Sequence, residues 1–205
     1  MSGRPDPVET ADVDLLRWAA DGDKDSFGAI FERYHDVVYR FACAMTGSPD
    51  TAEDVTQEVF VALIRDLRRY VPERAALSTY LYGITRNMSR ERLRRERRFL
   101  SLASLGVKPI DDACTADPFK QLVAVETGTE VRRALARIPV KYREVVILCD
   151  LHDLSYAEIG AILRTSIGAV RSRLHHGRHL LRRWLSRPGK ATVYQTARSS
   201  LRCSV

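Results

Sequence analysis

The stretch LSYAEIGAILRTSIGAVRSRLHHGRHLLRRW, Leu154 to Trp184, decides how the chain is read. Tyr156, Ile159, Ile162 and Leu163 recur at i, i+3, i+6 and i+7, which lays one apolar stripe along a first helix. Arg164-Thr165-Ser166 makes a tight turn, with Ser166 placed to cap a second helix. Ile167, Val170, Leu174 and Leu181 then fall on one side of that helix, at about 100° per residue. Its other side carries Ser172, His175, His176 and His179, flanked by Arg171, Arg178, Arg182 and Arg183. An outer face made only of hydrogen-bonding and cationic groups suits the DNA major groove, with the preceding helix as a brace. The plainer alternative is an arginine-rich surface helix of an ordinary bundle. The coincidence of apolar period, short turn and basic face favours the groove.

Upstream of this unit the pattern stays helical. Residues 1 to about 11 hold two prolines and several charges and bury nothing. A helix starts near Asp12, carries Leu15, Leu16 and Trp18, and ends at Asp21-Gly22-Asp23. The next, from about Ser26 to Met45, has a broad apolar stripe from Phe27 through Phe41, and Gly47 is its natural C-cap. A third, from about Thr51 to Arg69, buries Val55, Val59, Leu63, Leu67 and Tyr70 and turns Asp54, Gln57, Val61 and Arg65 the other way. Spacing alone gives that exposed stripe no more than a solvated face with acid near a helix N-terminus.

A fourth helix from about Ser78 changes character along its length. Tyr80, Leu81, Ile84, Met88 and Leu93 are apolar or aromatic, whereas Ser89 to Arg98 holds six arginines against two glutamates. Tyr80, Tyr82, Arg86, Asn87 and Arg90 therefore combine rings with positive charge, a mixture suited to unpaired bases that stack while arginine holds the backbone. A charged helix end laced with Arg–Glu pairs is the competing reading. From about Leu100 the periodicity is lost and Asp111, Asp112 and Asp117 make the chain acidic, as in a linker. Helices resume from about Thr127 to Ile138, and Pro139 opens another in which Tyr142, Val145, Val146 and Leu148 point inward. With no recurring strand signal, the fold class expected is all-α: two small helical domains joined by a flexible linker, the second containing the helix-turn-helix. The boundaries read as 12–99, a linker at 100–125, 126–186, and a flexible tail at 187–205.

The chain has 205 residues and a formal charge of +7, with arginine far outnumbering lysine. That balance favours a polyanionic partner, which the planar guanidinium binds bidentately, although solubility alone would also be served. No apolar run is long enough to cross a bilayer and the N-terminus lacks a signal-peptide core, so no membrane insertion is expected and the cytoplasm is the expected compartment. Cys43, Cys114, Cys149 and Cys203 are scattered and read as reduced thiols. Cys149 with His152, and His175 with His179, have metal-like spacing, but no complete ligand set is visible, and neither metal nor cofactor is expected. No nucleophile, base and orienter recur at a motif spacing, so the chain does not read as an enzyme.

Four stretches, FGAIFERYHDVVYRFA, AEDVTQEVF, STYLYGITRNMSRERLRR and the run from Arg137 to Arg178, stand in an order that resembles the extracytoplasmic-function sigma factors of bacterial RNA polymerase. The resemblance implies a promoter-recognition factor that binds core RNA polymerase and promoter DNA and is often held by an anti-sigma factor. It makes Asp54, Gln57 and Glu58 core-polymerase contacts. It assigns Tyr80, Arg86, Asn87 and Arg90 to the minus-ten element, and Ser166, Arg171, Ser172, Arg173, His175 and Arg178 to the minus-thirty-five element. Two departures stand out: Tyr80 occupies a place where the family usually has tryptophan, and Arg164 one where it often has glycine. A free-standing helix-turn-helix regulator would account for the C-terminal half alone.

Overall fold

The computed structural model describes residues 10–73, 75–102 and 130–185, without the side chains of 69 and 99–102. The expected tail, and all of the expected linker beyond residue 102, lie outside the described residues. Every regular element among them is a helix.

The first helix, α1 (Asp12–Ala20), is pinned onto α2 (Lys24–Thr46) by Asp12, whose carboxylate accepts from the Arg33 guanidinium and the Tyr34 hydroxyl. Arg33 also donates to the Thr10 carbonyl at 3.0 Å. Asp23 caps α2 by accepting from the Ser26 amide at 3.2 Å, which starts the helix slightly before the position that its apolar stripe suggests. Gly47 ends it at φ +79°, and its N–H reaches the Cys43 carbonyl at 2.8 Å. Ser48 then caps α3 (Pro49–Asp66), where Pro49 fills the first helical position and needs no hydrogen-bond acceptor there. A 3-10 turn (Leu67–Arg69) leads on to α4 (Leu77–Leu102), which continues past the expected boundary at 99. Leu15, Ile30, Val38, Val55, Leu63 and Leu81 are essentially inaccessible and form the core of this first unit.

The second unit contains α5 (helical over 130–136), α6 (Val140–Val146) with a π-helical extension (Ile147–Leu151), α7 (Tyr156–Leu163) and α8 (Ile167–Leu185). Its centre is α6. All residues from Arg143 to Leu148 are buried, including Arg143 at 2% and Glu144 at 1% exposure. A helix buried all round is not the half-buried one read from Tyr142, Val145, Val146 and Leu148, and its two charges require partners. Those partners come partly from the first unit, because this second core does not close on itself. Phe41, Met45 and Tyr82, from α2 and α4, belong to the same buried cluster as Leu135, Ile138, Ile147, Ile159 and Val170.

Two inward assignments are corrected, the first being Phe31 of the α2 stripe, which is 38% exposed. Ile167, read as part of the apolar side of α8, is 49% exposed at the start of that helix, whereas Val170, Leu174 and Leu181 are buried as expected. The first turn of a helix projects beyond its neighbours, so a residue in phase with the stripe there has nothing to pack on.

Candidate nucleic-acid and polymerase interfaces

The outer side of α3 keeps Asp54, Gln57 and Glu58 exposed. Arg92 of α4 reaches across to both acids, at 3.6 Å from Asp54 Oδ2 and in a short ion pair with Glu58. These residues share a shallow groove with Val61 and Arg65. Val61 and Ile64 are 62% and 52% exposed beside it, unusual for large apolar side chains on a helix whose far face is fully packed. The result is an acidic ridge with an apolar edge, the chemistry of a protein-docking surface rather than a phosphate-binding one.

Along α4, Tyr82, Arg86 and Arg90 recur every fourth residue and so share a face. That face is turned toward the second unit. Tyr82 is 5% exposed and makes edge contact with Phe41, their ring centres 5.4 Å apart. Arg86 donates from Nε to Glu144 Oε2 at 2.8 Å and from Nη2 to Oε1 at 3.4 Å; Arg90 Nη1 lies 3.6 Å from Glu144 Oε2. Glu144 is thus a buried carboxylate held by two of the four residues assigned to the minus-ten element. Asn87 remains exposed, and Tyr80 is half-buried against Tyr70 with ring centres 5.3 Å apart. Past Arg90 the helix lines a groove with Leu93, Arg94 and Arg97, faced by Val140 of α6.

The helix-turn-helix is built by local signals that agree. Ser155 and Glu158 form a reciprocal capping box at the start of α7. Arg164 ends α7 in the left-handed region at φ +50°, and the Thr165 amide reaches back to the Gly160 carbonyl at 2.9 Å. The place where glycine is often found thus demands the conformation glycine adopts freely, and arginine takes it at a cost. Ser166 accepts from the Ala169 amide at 3.3 Å and so caps α8. Arg171, Ser172, His175 and His179 are exposed, and Arg173 is half-exposed. His176 stacks on Tyr142 of α6, with ring planes 14° apart. Arg178 forms a two-point ion pair with buried Asp150, at 3.1 and 2.5 Å, so its guanidinium faces the unit's own core. Behind them, Gly177 lets α8 approach α6 closely: a Cβ there would lie 2.5 Å from Val146 Cγ2 and 3.1 Å from the Tyr142 carbonyl.

Sequence reading missed Arg143, Glu144, Asp150 and His152. The uninterrupted run from Val145 to Cys149 was the available signal: a helix that apolar leaves no solvent side for the charges beside it. Arg143 bridges the units, donating to the Met45 carbonyl at 2.5 Å and to the Ala136 and Ile138 carbonyls at 2.5 and 3.2 Å. Burial first, and then nearby Arg97, lower its pKa to about 10, so it remains charged at neutral pH. The Tyr82 hydroxyl lies 2.8 Å from His152 Nδ1. Burial, with a smaller contribution from Arg40, lowers the His152 pKa to about 4. The imidazole is therefore neutral at pH 7, and it shares a hydrogen bond with the Tyr82 hydroxyl, itself held protonated by burial.

Comparison with known proteins places both halves. The Sigma-70 region 2 family model matches residues 30–99, and the Sigma-70, region 4 model matches residues 129–181. The chain is 34% identical over 170 residues to the ECF RNA polymerase sigma factor SigE of Mycolicibacterium smegmatis, covering 82% of this chain and 65% of SigE. It is 32% identical over 171 residues to SigW of Bacillus subtilis, covering 80% of this chain and 91% of that one. The fold is shared with the sigma factor RpoE in its complex with the anti-sigma factor NepR from Bartonella quintana, at TM-score 0.67 and 23% identity, over 81% of this chain and 99% of the other. With two regions matched in order and relatives aligned over most of its length, the chain belongs to the extracytoplasmic-function sigma factors, the RNA polymerase subunits that direct promoter-specific transcription initiation.

Proposed function

We propose that this chain docks on core RNA polymerase through the α3 ridge and reads a promoter with two surfaces, the α4 face for the minus-ten element and the α8 face for the minus-thirty-five element. The observation that carries the reading is the separation of chemistries among the described residues. An acidic ridge with exposed Val61 and Ile64 lies on α3, while the exposed groups at the start of α8 are Arg171, Ser172 and His175. Asp54, Gln57 and Glu58 serve the polymerase contact. Tyr80, Arg86, Asn87 and Arg90 serve the melted minus-ten strand, where a ring can stack and arginine hold phosphate.

On α8, phosphate contacts supply most of the affinity and its salt dependence, and Arg171 and Ser172 reach base edges. Each good bidentate base contact discriminates by about 1–3 kcal/mol. Exposed Ile167 adds an apolar group suited to a thymine methyl. Arg178, locked to Asp150, acts by holding α8 in place. The domain boundaries 12–99 and 126–186 follow these roles, with 100–125 as the connection. The chain works in the cytoplasm, carries out no covalent step, and is bound by an anti-sigma factor, a kind of partner with which RpoE forms its complex.

The alternative of a free-standing helix-turn-helix regulator leaves the α3 ridge without a role. Affinity capture with purified bacterial core polymerase separates the two. The protein co-elutes with core enzyme, and Asp54→Ala weakens that association at least several-fold while leaving the helix content intact. Absence of any association, or an unaffected Asp54→Ala variant, would remove this reading's support.

A further inference from the structure

The face of α4 given to promoter DNA already has an anionic occupant. Arg86 and Arg90 converge on Glu144, a carboxylate only 1% exposed, and they are its ion-pair partners among the described residues. Two further contacts span the same seam. Arg143 donates to the Met45 carbonyl at the end of α2, and the Tyr82 hydroxyl meets His152 at 2.8 Å, with both rings packed on Phe41. Apolar burial of Phe41, Met45 and Tyr82 against the second unit backs these polar contacts.

From this we infer that the free protein rests in a closed state in which Glu144 stands in for a DNA phosphate and masks the minus-ten face. The inference rests on the assignment of Arg86 and Arg90 to DNA. Closure and promoter binding are then exclusive, because the same guanidinium groups cannot face a buried carboxylate and a strand at once.

A buried ion pair adds little net stability, since desolvation offsets the attraction, but removing one partner leaves the other charges buried and uncompensated. That asymmetry makes the seam a switch rather than a strut. When the units part, Glu144, Arg86 and Arg90 all regain water or new partners, and the remaining cost is exposure of Phe41, Met45 and Tyr82. Core polymerase supplies the compensation by binding the separated arrangement better than the closed one, which is the condition any ligand must meet to shift such an equilibrium.

The test uses the full chain with Glu144→Gln, which removes the charge and keeps the shape, and with Tyr82→Phe, which removes only the hydrogen bond to His152. Small-angle X-ray scattering reads compactness, and fluorescence anisotropy reads binding of a mixed-sequence single-stranded 20-mer; far-UV circular dichroism confirms that each variant is folded. If about nine molecules in ten are closed, Glu144→Gln gains about tenfold in DNA affinity together with a larger radius of gyration. Tyr82→Phe moves both readouts the same way by less. An already extended wild type, or a change in either readout without the other, overturns the masking.

Arg86→Ala and Arg90→Ala in polymerase-dependent transcription test the underlying assignment separately. Lost activity there, with Glu144→Gln neither expanding the chain nor tightening DNA binding, would defeat closure and leave the DNA-binding reading standing. Full activity of both arginine variants would defeat the assignment itself.

Discussion

Arg164 and Gly177 show how much of the DNA-reading unit depends on single backbone positions. Arg164 sits at φ +50°, where an L side chain is strained and glycine is not. Arg164→Gly therefore removes strain at the cost of a more flexible unfolded chain, and the net expectation is a gain of about 0.5–1 kcal/mol, read as a higher urea midpoint. Gly177 works in the opposite sense. It faces Val146 and the Tyr142 backbone so closely that a single methyl must displace them. Gly177→Ala should cost about 1–3 kcal/mol and tilt α8, so promoter affinity falls together with stability. On the proposed supporting role of Arg178, which is ion-paired with Asp150, Asp150→Asn should weaken duplex binding without any contact of its own to DNA.

At the scale of elements, α3 and α6 divide what the sequence made legible from what it hid. Within α3 the seam is read correctly from period alone: Val55, Val59 and Leu63 are buried and Asp54, Gln57, Val61 and Arg65 exposed, whereas Leu67 and Tyr70 fall beyond the helix and are only half-buried. A helix packed on one side carries its own record of which side that is. The caps at Gly47 and Ser166 were legible for the same local reason, whereas the Ser155–Glu158 capping box is supplied by the structure alone. By contrast the run from Arg143 to Leu148 is buried without a break, so periodicity carries no directional signal there, and the roles of Arg143 and Glu144 depend on α2 and α4, far away in sequence. The α4 arginines were singled out for their chemistry, yet no local pattern could show that two of them would meet Glu144. Arg143→Met tests the buried bridge: it removes the hydrogen bonds donated to the Met45, Ala136 and Ile138 carbonyls, and thermal unfolding should show a loss of about 2–4 kcal/mol.

For the molecule as a whole, the seam between the two units makes stability depend on pH in a defined window. The folded pKa of His152 lies near 4, below the ordinary value of 6.5, so the unfolded or separated chain binds the extra proton more readily. Stability from this group is therefore complete above about pH 6.5 and is lost as pH falls toward 4, by about 3 kcal/mol. Protonation makes both ring nitrogens donors, so Nδ1 could then only donate to the Tyr82 oxygen. Urea midpoints should fall between pH 7.5 and pH 5 in the wild type, and by less in His152→Phe. On the proposed reading, the same seam brings the two DNA-reading surfaces together, and polymerase is the agent that would separate and space them.

The most direct measurement is in-vitro transcription with purified bacterial core polymerase on a template library randomised across the minus-thirty-five and minus-ten regions. Start sites should appear only when this protein is added, from templates sharing sequence in both regions, with Arg171→Ala relaxing selection in the upstream region while core binding persists. Addition of the protein with no selected promoters above core enzyme alone would contradict its assignment as a promoter-reading subunit.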